Sequence, residues 1–281
     1  MTVLRASSVL EALAALAALP GALPLAGGTD LLVAMNARTV LPAHLVTLRR
    51  VDELRGVSTT AAGTRYGALT TYAELHASGT QLLRSVAAAV GSPASRNAGT
   101  LGGALATSSA TGDVLTALMA AGAQVEVAGP RGVRTVDVHE LTKDRRELLT
   151  AVHVPAPAGP QAYLKLAQRQ AAVGATVACA LTVDGAANTV RIALAGVGAR
   201  PQRAQSAEAF VRDEVSWRDG LPVVDEAVLA RFAQLTVAVL APWEHARASS
   251  AYRRHAAGVL ARRALARVSA HGAAASMAVT A

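Results

Sequence analysis

Hydrophobic positions recur along the first 160 residues with two periods, one typical of helices and one typical of strands. Ser7 or Ser8 is a suitable cap for the first helix, Thr29 or Asp30 for the second, and Thr70-Thr71 for the third. Pro93 is expected to end the fourth helix. In chain order, the pattern predicts helices at 9–19, 30–36, 72–78, 82–90 and 113–121, and strands at 23–26, 45–48, 64–68, 124–128, 134–138 and 148–154.

The second half of the chain begins after a proline-rich linker at 155–160. We expect two domains, over residues 1–160 and 161–270, with the first divided near residue 55. The tail at 271–281 is weakly patterned and is expected to fray. The pattern after the linker predicts a meander of strands at 163–168, 175–183 and 190–196, then helices at 207–211, 226–240 and 252–268.

Two glycine pairs, each in a predicted loop, are the most informative local feature. They lie in the segments Ala26-Gly27-Gly28-Thr29-Asp30 and Thr100-Leu101-Gly102-Gly103. Glycine pairs let backbone N–H groups converge on an anion without a side chain in the way. Two such loops in one domain favour a ligand with a long phosphate-bearing spine, such as a dinucleotide.

The residues around the glycine pairs extend this hypothesis. The hydroxyls of Thr29, Thr100 and Thr107 suit phosphate or sugar oxygens, and Asp113 suits the hydroxyls of a ribose or ribityl chain. Asp30 is expected to cap a helix, because a carboxylate beside a pyrophosphate would repel it. The alternative is that both segments are tight turns and that Asp113 only caps a helix. The two loops taken together favour the ligand.

Composition narrows the class of protein. The 281 residues carry a net charge of +8 but no dense basic run with interleaved aromatics, so nucleic-acid binding is not expected. The single cysteine, Cys179, lies in an apolar run and forms neither a disulfide nor a metal centre alone, which favours a cytoplasmic protein. Glu11 interrupts the apolar N-terminal stretch, which predicts a helix and not an export signal. No segment is expected to span a membrane.

The sequence offers no proton-transfer or metal machinery of its own. It has no Gly-x-Ser-x-Gly elbow, and its seven histidines show no paired metal-ligand spacing, so no metal site is expected. No two carboxylates form an evident acid–base pair. A bound cofactor is therefore expected to supply the chemistry.

Three motifs, in this order along the chain, resemble those of one protein family. They are Ala-Gly-Gly-Thr-Asp-Leu at 26–31, Arg-Asn-Ala-Gly-Thr-Leu-Gly-Gly at 96–103 and Ala-Tyr-Arg-Arg-His-Ala-Ala-Gly-Val-Leu-Ala-Arg-Arg-Ala at 251–264. Together they resemble the FAD-binding medium subunits of the molybdenum hydroxylases, the xanthine dehydrogenase and carbon monoxide dehydrogenase family. The resemblance implies an α+β fold: a two-part FAD-binding domain of the vanillyl-alcohol-oxidase (PCMH) type, then a small α+β domain with an antiparallel sheet and helices.

The same resemblance implies a set of FAD contacts. Thr107 and Asp113 would hold the ribityl chain and its neighbours, Leu149 would lie by the flavin ring, and Lys165 would lie near the pyrimidine edge. The residues that would wrap the pyrophosphate are Leu25, Ala26, Gly27, Gly28, Thr29, Asp30, Leu31, Thr100, Leu101, Gly102 and Gly103.

The family likeness also implies partners. A large chain would carry a molybdenum–pterin centre and a small chain 2Fe–2S clusters, in a dimer of heterotrimers that passes electrons through FAD to NAD or another acceptor. Motif details favour a xanthine dehydrogenase-like complex. A carbon monoxide, N-heterocycle or aldehyde dehydrogenase, a stand-alone FAD oxidase and a binding module without a redox role are the alternatives.

The chain departs from the family pattern at two places. Ala104 follows the second glycine pair where asparagine is common, which removes one expected side-chain contact with FAD. Ala172-Val173 stand where many relatives place an acidic or aromatic residue near the flavin. We expect these small residues to affect the choice of electron acceptor.

Overall fold

The structure is a computed structural model of the chain. It describes residues 1–142, 144, 146–168, 174–244 and 248–269. Ala172-Val173 and the tail at 271–281 lie outside the described residues, so the expectations for them stay predictions.

Numbered along the chain, the elements mix helices and strands throughout. The strands are β1 Thr2–Arg5, β2 Ala22–Leu25, β3 His44–Thr47, β4 Val57–Thr60, β5 Gly63–Gly67, β6 Gln124–Gly129, β7 Gly132–Asp137, β8 Leu148–Pro155, β9 Gln161–Leu166, β10 Val177–Asp184, β11 Thr189–Ala195, β12 Gln202–Arg203, β13 Trp217–Arg218 and β14 Leu221–Pro222. The helices are α1 Val9–Ala18, α2 Leu31–Asn36, α3 Tyr72–Ser78, α4 Gln81–Ala88, α5 Pro93–Ala98, α6 Leu101–Thr107, α7 Asp113–Ala120, α8 Gln205–Glu214, α9 Glu226–Ala238 and α10 Ser250–Val268.

The chain forms two compact units, and each is built from three segments that are not contiguous in the sequence. The first unit comprises Met1–Ser78, Gly91–Ser108 and Ala123–Ala156. The second comprises Gly79–Val90, Ser109–Gly122 and the chain from Pro157 onward, so it takes α4 and α7 from the first half of the sequence. No helix in the described part of the chain combines the length and the apolar character needed to cross a bilayer.

The first unit contains two sheets of different kinds. Strands β1, β3 and β2 form a parallel sheet in that order, and α1 connects β1 to β2. Ala12 and Leu16 on the buried face of α1 pack with Val46 and Leu48 in one core. The second sheet is antiparallel, with the order β4-β5-β8-β6-β7. The first unit thus contains one parallel and one antiparallel sheet, and the predicted domain bounds stay predictions.

The second unit is built around the antiparallel sheet β12-β11-β10-β9. Every residue from Val177 to Val183 in β10 is buried, as expected when both faces of a sheet are covered. Alternate residues face opposite sides. Cys179 and its odd-numbered neighbours share a core with α8, α9 and α10, whereas Thr182 on the other face donates to the carbonyl of Ala120 in α7 at 2.7 Å.

Arg253, from the third family motif, anchors α10 to this sheet. Its side chain is buried and donates to the carbonyl oxygens of Thr176 at 2.6 Å and Gly196 at 3.1 Å. The guanidinium also stacks over Trp243, 4.6 Å from the ring centroid. Burial lowers the pKa of Arg253 from its usual range. The motif therefore contributes to the packing of the second unit.

The predicted elements are present within a few residues, with two corrections. Pro93 does not leave a loop behind it: Ser92 caps a new helix, α5, with Pro93 in its first turn, where a missing N–H costs nothing. Thr100–Gly103 is not a loop either, because Thr100 caps α6 and the glycine pair lies in the first turn. The short strands β1 and β4 were not predicted, because their side chains are mostly exposed.

Phe232 provides a test of the second core. Its side chain is fully buried in α9, so Phe232→Ala should lower the free energy of unfolding by about 3–5 kcal/mol. Both tryptophans of the chain, Trp217 and Trp243, lie in the second unit, so urea unfolding followed by their fluorescence reports on it. Val239→Ala, at a site that is 45% exposed, is the control and should change stability little.

Candidate functional site

The first unit contains a cavity of about 400 Å³, within the usual range for small-molecule sites. Its wall comes from the end of β2 with the loop that follows, from α6 and from the start of β8. Among the site residues predicted from the sequence, those that line it are Leu25, Ala26, Gly27, Gly28, Thr29, Asp30, Leu31, Thr100, Gly102, Gly103, Thr107 and Leu149. Leu101 is fully buried, and Asp113 and Lys165 belong to the second unit.

The first glycine pair is required by the approach of two backbone segments. A Cβ atom at Gly27 would lie 1.9 Å from the carbonyl oxygen of Ala98, far inside contact distance. Gly28 has a φ of +73°, a conformation that favours glycine. The pair therefore lets the loop after β2 lie directly against the end of α5.

The N–H groups of this loop are available for a ligand. The N–H groups of Gly27, Gly28 and Thr29 donate no hydrogen bond to any of the described residues. Such groups beside a cavity need a partner, and an anion bound there would provide one. The loop has the chemistry of a phosphate cradle.

The second glycine pair has a different role. The N–H of Leu101 donates to the carbonyl of Thr70 and that of Gly102 to the carbonyl of Ala68, each at 2.8 Å. The N–H of Gly103 donates to the Thr100 hydroxyl oxygen at 3.2 Å. A Cβ at Gly102 would lie 2.8 Å from the Cβ of Ala68. Close packing thus explains Gly102, and these three N–H groups are already bonded within the protein.

The charges of the cavity wall bear on what it binds. The ionisable side chains in the described part of its lining are three carboxylates, those of Asp30, Asp144 and Glu147. Lys143 and Arg145, which flank Asp144 in the sequence, lie outside the described residues. Asp30 is the N-cap residue of α2 and its backbone carbonyl accepts from the Ala34 N–H at 3.0 Å, but its side chain makes no capping hydrogen bond, so the expected side-chain cap was wrong. A phosphate here would be bound by neutral N–H and hydroxyl donors.

Asp113 and Lys165 form a buried ion pair within the second unit. The Lys165 Nζ donates to Asp113 Oδ2 at 2.7 Å and to the carbonyl of Ala89 at 2.9 Å. The Tyr163 hydroxyl donates to Asp113 Oδ1 at 2.7 Å. Burial raises the pKa of Asp113, while Lys165 and Tyr163 act against that shift. Asp113 and Lys165, both predicted to contact FAD, are therefore close together in the structure, where they bind each other.

Sequence reasoning missed Tyr163 and Glu147. Tyr163 lies two residues before Lys165 on β9, so the two side chains face the same side of the strand. This spacing was already visible in the sequence. Glu147 precedes β8 and lines the cavity with its side chain about one-tenth exposed. No local pattern marks it, because its ion-pair partner comes from another strand.

One group of possible metal ligands stands apart from the cavity. Ligand atoms of Asp137, His139 and Glu140 lie within 4.8 Å of one another just after β7, and Glu140 is exposed. None of the three lines the cavity. The expectation that this chain holds no metal stays a prediction.

Comparison with known proteins defines the class and then the family. Residues 1–157 match the family model described as FAD binding domain in molybdopterin dehydrogenase, and residues 162–268 match the CO dehydrogenase flavoprotein C-terminal domain. The fold is thus that of a two-domain flavoprotein. The chain belongs to the family of FAD-binding medium subunits of molybdenum hydroxylases.

Similar proteins cover nearly the whole chain. The carbon monoxide dehydrogenase medium chain of Afipia carboxidovorans is 31% identical, over 95% of this chain and 96% of that protein. The xanthine dehydrogenase FAD-binding subunit of Escherichia coli O157:H7 is 30% identical, over 89% and 90%. A solved structure of carbon monoxide dehydrogenase from Hydrogenophaga pseudoflava matches with a TM-score of 0.88 at 29% identity, covering 95% and 96% of the two chains.

These findings confirm the resemblance, the α+β fold class and FAD as the cofactor of the family. The preference for a xanthine dehydrogenase over a carbon monoxide dehydrogenase is not confirmed, because relatives of both kinds match, at 30% and 31% identity respectively. The individual FAD contacts stay predictions.

The Asp113–Lys165 pair allows a test of how the second unit is stabilised. Asp113→Asn or Lys165→Met leaves one buried group without its partner and should cost about 3–5 kcal/mol of unfolding free energy. The double variant should cost less than the sum of the two by about 2 kcal/mol. Urea unfolding followed by tryptophan fluorescence measures the cycle, and strictly additive losses would contradict the pairing.

Proposed function

We propose that this chain holds FAD in the cavity of the first unit and works as the electron-transfer subunit of a molybdenum hydroxylase complex. The observation that carries the proposal is the row of unpartnered N–H groups at Gly27, Gly28 and Thr29 beside the cavity. When bound, FAD supplies the redox chemistry, because it accepts electrons from one partner and gives them to another. The chain's own residues supply binding and orientation.

The donors of the cavity fit a pyrophosphate. The three N–H groups would bind its oxygens, and the hydroxyls of Thr29, Thr100 and Thr107 would add hydrogen bonds. The apolar wall at Leu149 would lie against the flavin ring. Since the described lining offers no cation, neutral donors would carry most of the affinity for the phosphates.

The roles of Asp113 and Lys165 toward FAD remain part of this proposal. The ion pair between them is electrically neutral, so Lys165 would stabilise negative charge on the flavin less than an unpaired lysine. Among the described residues, the Lys165 ammonium group donates two hydrogen bonds, to Asp113 and to the carbonyl of Ala89, which would leave the third of its N–H groups for a ligand.

We infer that the electrons come from partner chains. Iron–sulfur clusters are held by several cysteine thiolates, and this chain has only Cys179, which is fully buried. A small 2Fe–2S subunit and a large molybdenum–pterin subunit, in a dimer of heterotrimers, would complete the pathway. The single cysteine is also consistent with a cytoplasmic location.

The substrate of the complex would be set by the large chain. Purines are our first expectation, from the motif details at 165–183 and 251–264, and carbon monoxide is supported equally by the relatives. An N-heterocycle or aldehyde is the further alternative, with NAD as the expected electron acceptor. Purifying the complex through this chain and assaying it with xanthine, carbon monoxide and aldehydes, with and without NAD, distinguishes them.

A stand-alone oxidase would give a different result in that experiment. Co-purification of a molybdenum-containing chain is expected. Substrate oxidation by this chain alone, with FAD but without partners, would contradict the subunit assignment.

Gly103→Val tests the cavity as the FAD site. Gly103 lines the cavity in the first turn of α6, and a valine side chain there would occupy ligand space and contact the Thr100 hydroxyl, so FAD retention should be lost. Ala77→Val, at an exposed position of α3 in the same unit and outside the cavity lining, should retain FAD. The flavin content of both purified variants, measured by absorbance, provides the comparison, and wild-type content in Gly103→Val would refute the assignment.

A further inference from the structure

Glu147 is a cavity residue whose position requires a glycine on the neighbouring strand. It lies immediately before β8, and its side chain is about one-tenth exposed. A Cβ atom at Gly129 in β6 would lie 2.8 Å from the Glu147 Cγ. The absence of a side chain at Gly129 therefore makes room for the glutamate beside the cavity.

Two hydrogen bonds from one arginine fix the carboxylate of Glu147. Arg134 Nη2 donates to Oε2 at 2.7 Å, and Arg134 Nε donates to Oε1 at 3.3 Å. Arg131 adds a second cation 4.0 Å from Oε1. The hydrogen bond to Glu147 raises the pKa of Arg134, as expected for a tight pair. This fork holds the carboxylate in one orientation.

The Glu147 carboxylate determines which groups of a ligand can lie beside it. It has about four acceptor sites, and Arg134 uses two of them, so acceptor capacity remains on both oxygens. Its oxygens accept hydrogen bonds from hydroxyl and N–H groups, whereas an ionised phosphate oxygen has no proton to donate to them. The loop at Gly27–Thr29 has the opposite chemistry, since it offers only donors.

We propose that Glu147 accepts a hydrogen bond from a hydroxyl or N–H group of bound FAD and that Arg134 is the positioning residue that orients it. The inference rests on the proposed function. It adds a ligand contact that the sequence did not predict, and it gives the cavity a donor region for phosphate and an acceptor region for an uncharged polar group.

Glu147→Gln tests the contact without changing the size of the side chain. FAD titration of the FAD-depleted full chain, followed by flavin fluorescence, should show a Kd about 10-fold higher than that of the wild type. The matched control is Glu126→Gln. Glu126 is a partly buried glutamate of the same sheet, paired with Arg65 at 3.3 Å, and it does not line the cavity. Its Kd should not change.

A purely structural role for Glu147 would give a different pattern. In that case both variants would lower the thermal midpoint of the FAD-free chain and neither would change the Kd, which would overturn the inference. Failure of the wild-type chain to bind FAD would instead overturn the proposed function, so the two failures are distinguishable.

Arg134→Gln tests the positioning step. It should weaken FAD binding in the wild-type background, because Glu147 loses the fork that orients it. It should have no further effect on Kd when Glu147 is already glutamine. Equal effects in both backgrounds would show that Arg134 acts independently of Glu147 and would contradict its assigned role.

Discussion

The contact between the backbone of Gly27 and the carbonyl of Ala98 is the constraint on which the first unit depends. No side chain fits between them, since a Cβ atom at Gly27 would lie 1.9 Å from that oxygen. A similar contact joins Gly102 to Ala68. Together they bring the loop after β2, the α5–α6 segment and the end of β5 close enough to form one cavity wall. The glycines are therefore needed before any ligand is considered.

The cavity that results has a consistent chemistry. Its donors are backbone N–H groups and threonine hydroxyls, and its described ionisable groups are acids. Fixed N–H groups need little reorganisation when an anion binds, because the fold already holds them in place. Because the described wall has no cation, the affinity for an anion would depend mainly on the placement of these neutral donors. A dinucleotide suits such a site, because its phosphates and its hydroxyl and N–H groups require opposite partners.

The sequence predicted the elements well wherever periodicity was strong. The fully buried strand β10 was predicted from its continuous apolar run, and the long helix α10 from apolar residues that recur every three or four positions. It failed at Pro93 and Thr100, where a proline and a glycine pair indicated a loop but act as the start of a helix. Local composition does not distinguish a loop from the first turn of a helix. In both, the backbone N–H groups have no partner within a helix, so the same residue types are tolerated.

The site was only partly predictable for a related reason. The glycine pairs and most of the cavity lining follow each other in the sequence and share recognisable motifs. Glu147 depends on Arg134 and Gly129, and Lys165 depends on Asp113 and Ala89, so their surroundings exist only after distant segments meet. The sequence indicated two equal phosphate loops, whereas in the structure the N–H groups of Leu101, Gly102 and Gly103 in the second are already bonded within the protein.

A crystal structure of the chain with FAD tests this account most directly. We predict a pyrophosphate oxygen within about 3.2 Å of a backbone nitrogen of Gly27, Gly28 or Thr29. The N–H groups of Leu101 and Gly102 should keep their bonds to Thr70 and Ala68. A pyrophosphate bound to the α6 N–H groups, or FAD bound outside this cavity, would contradict the account.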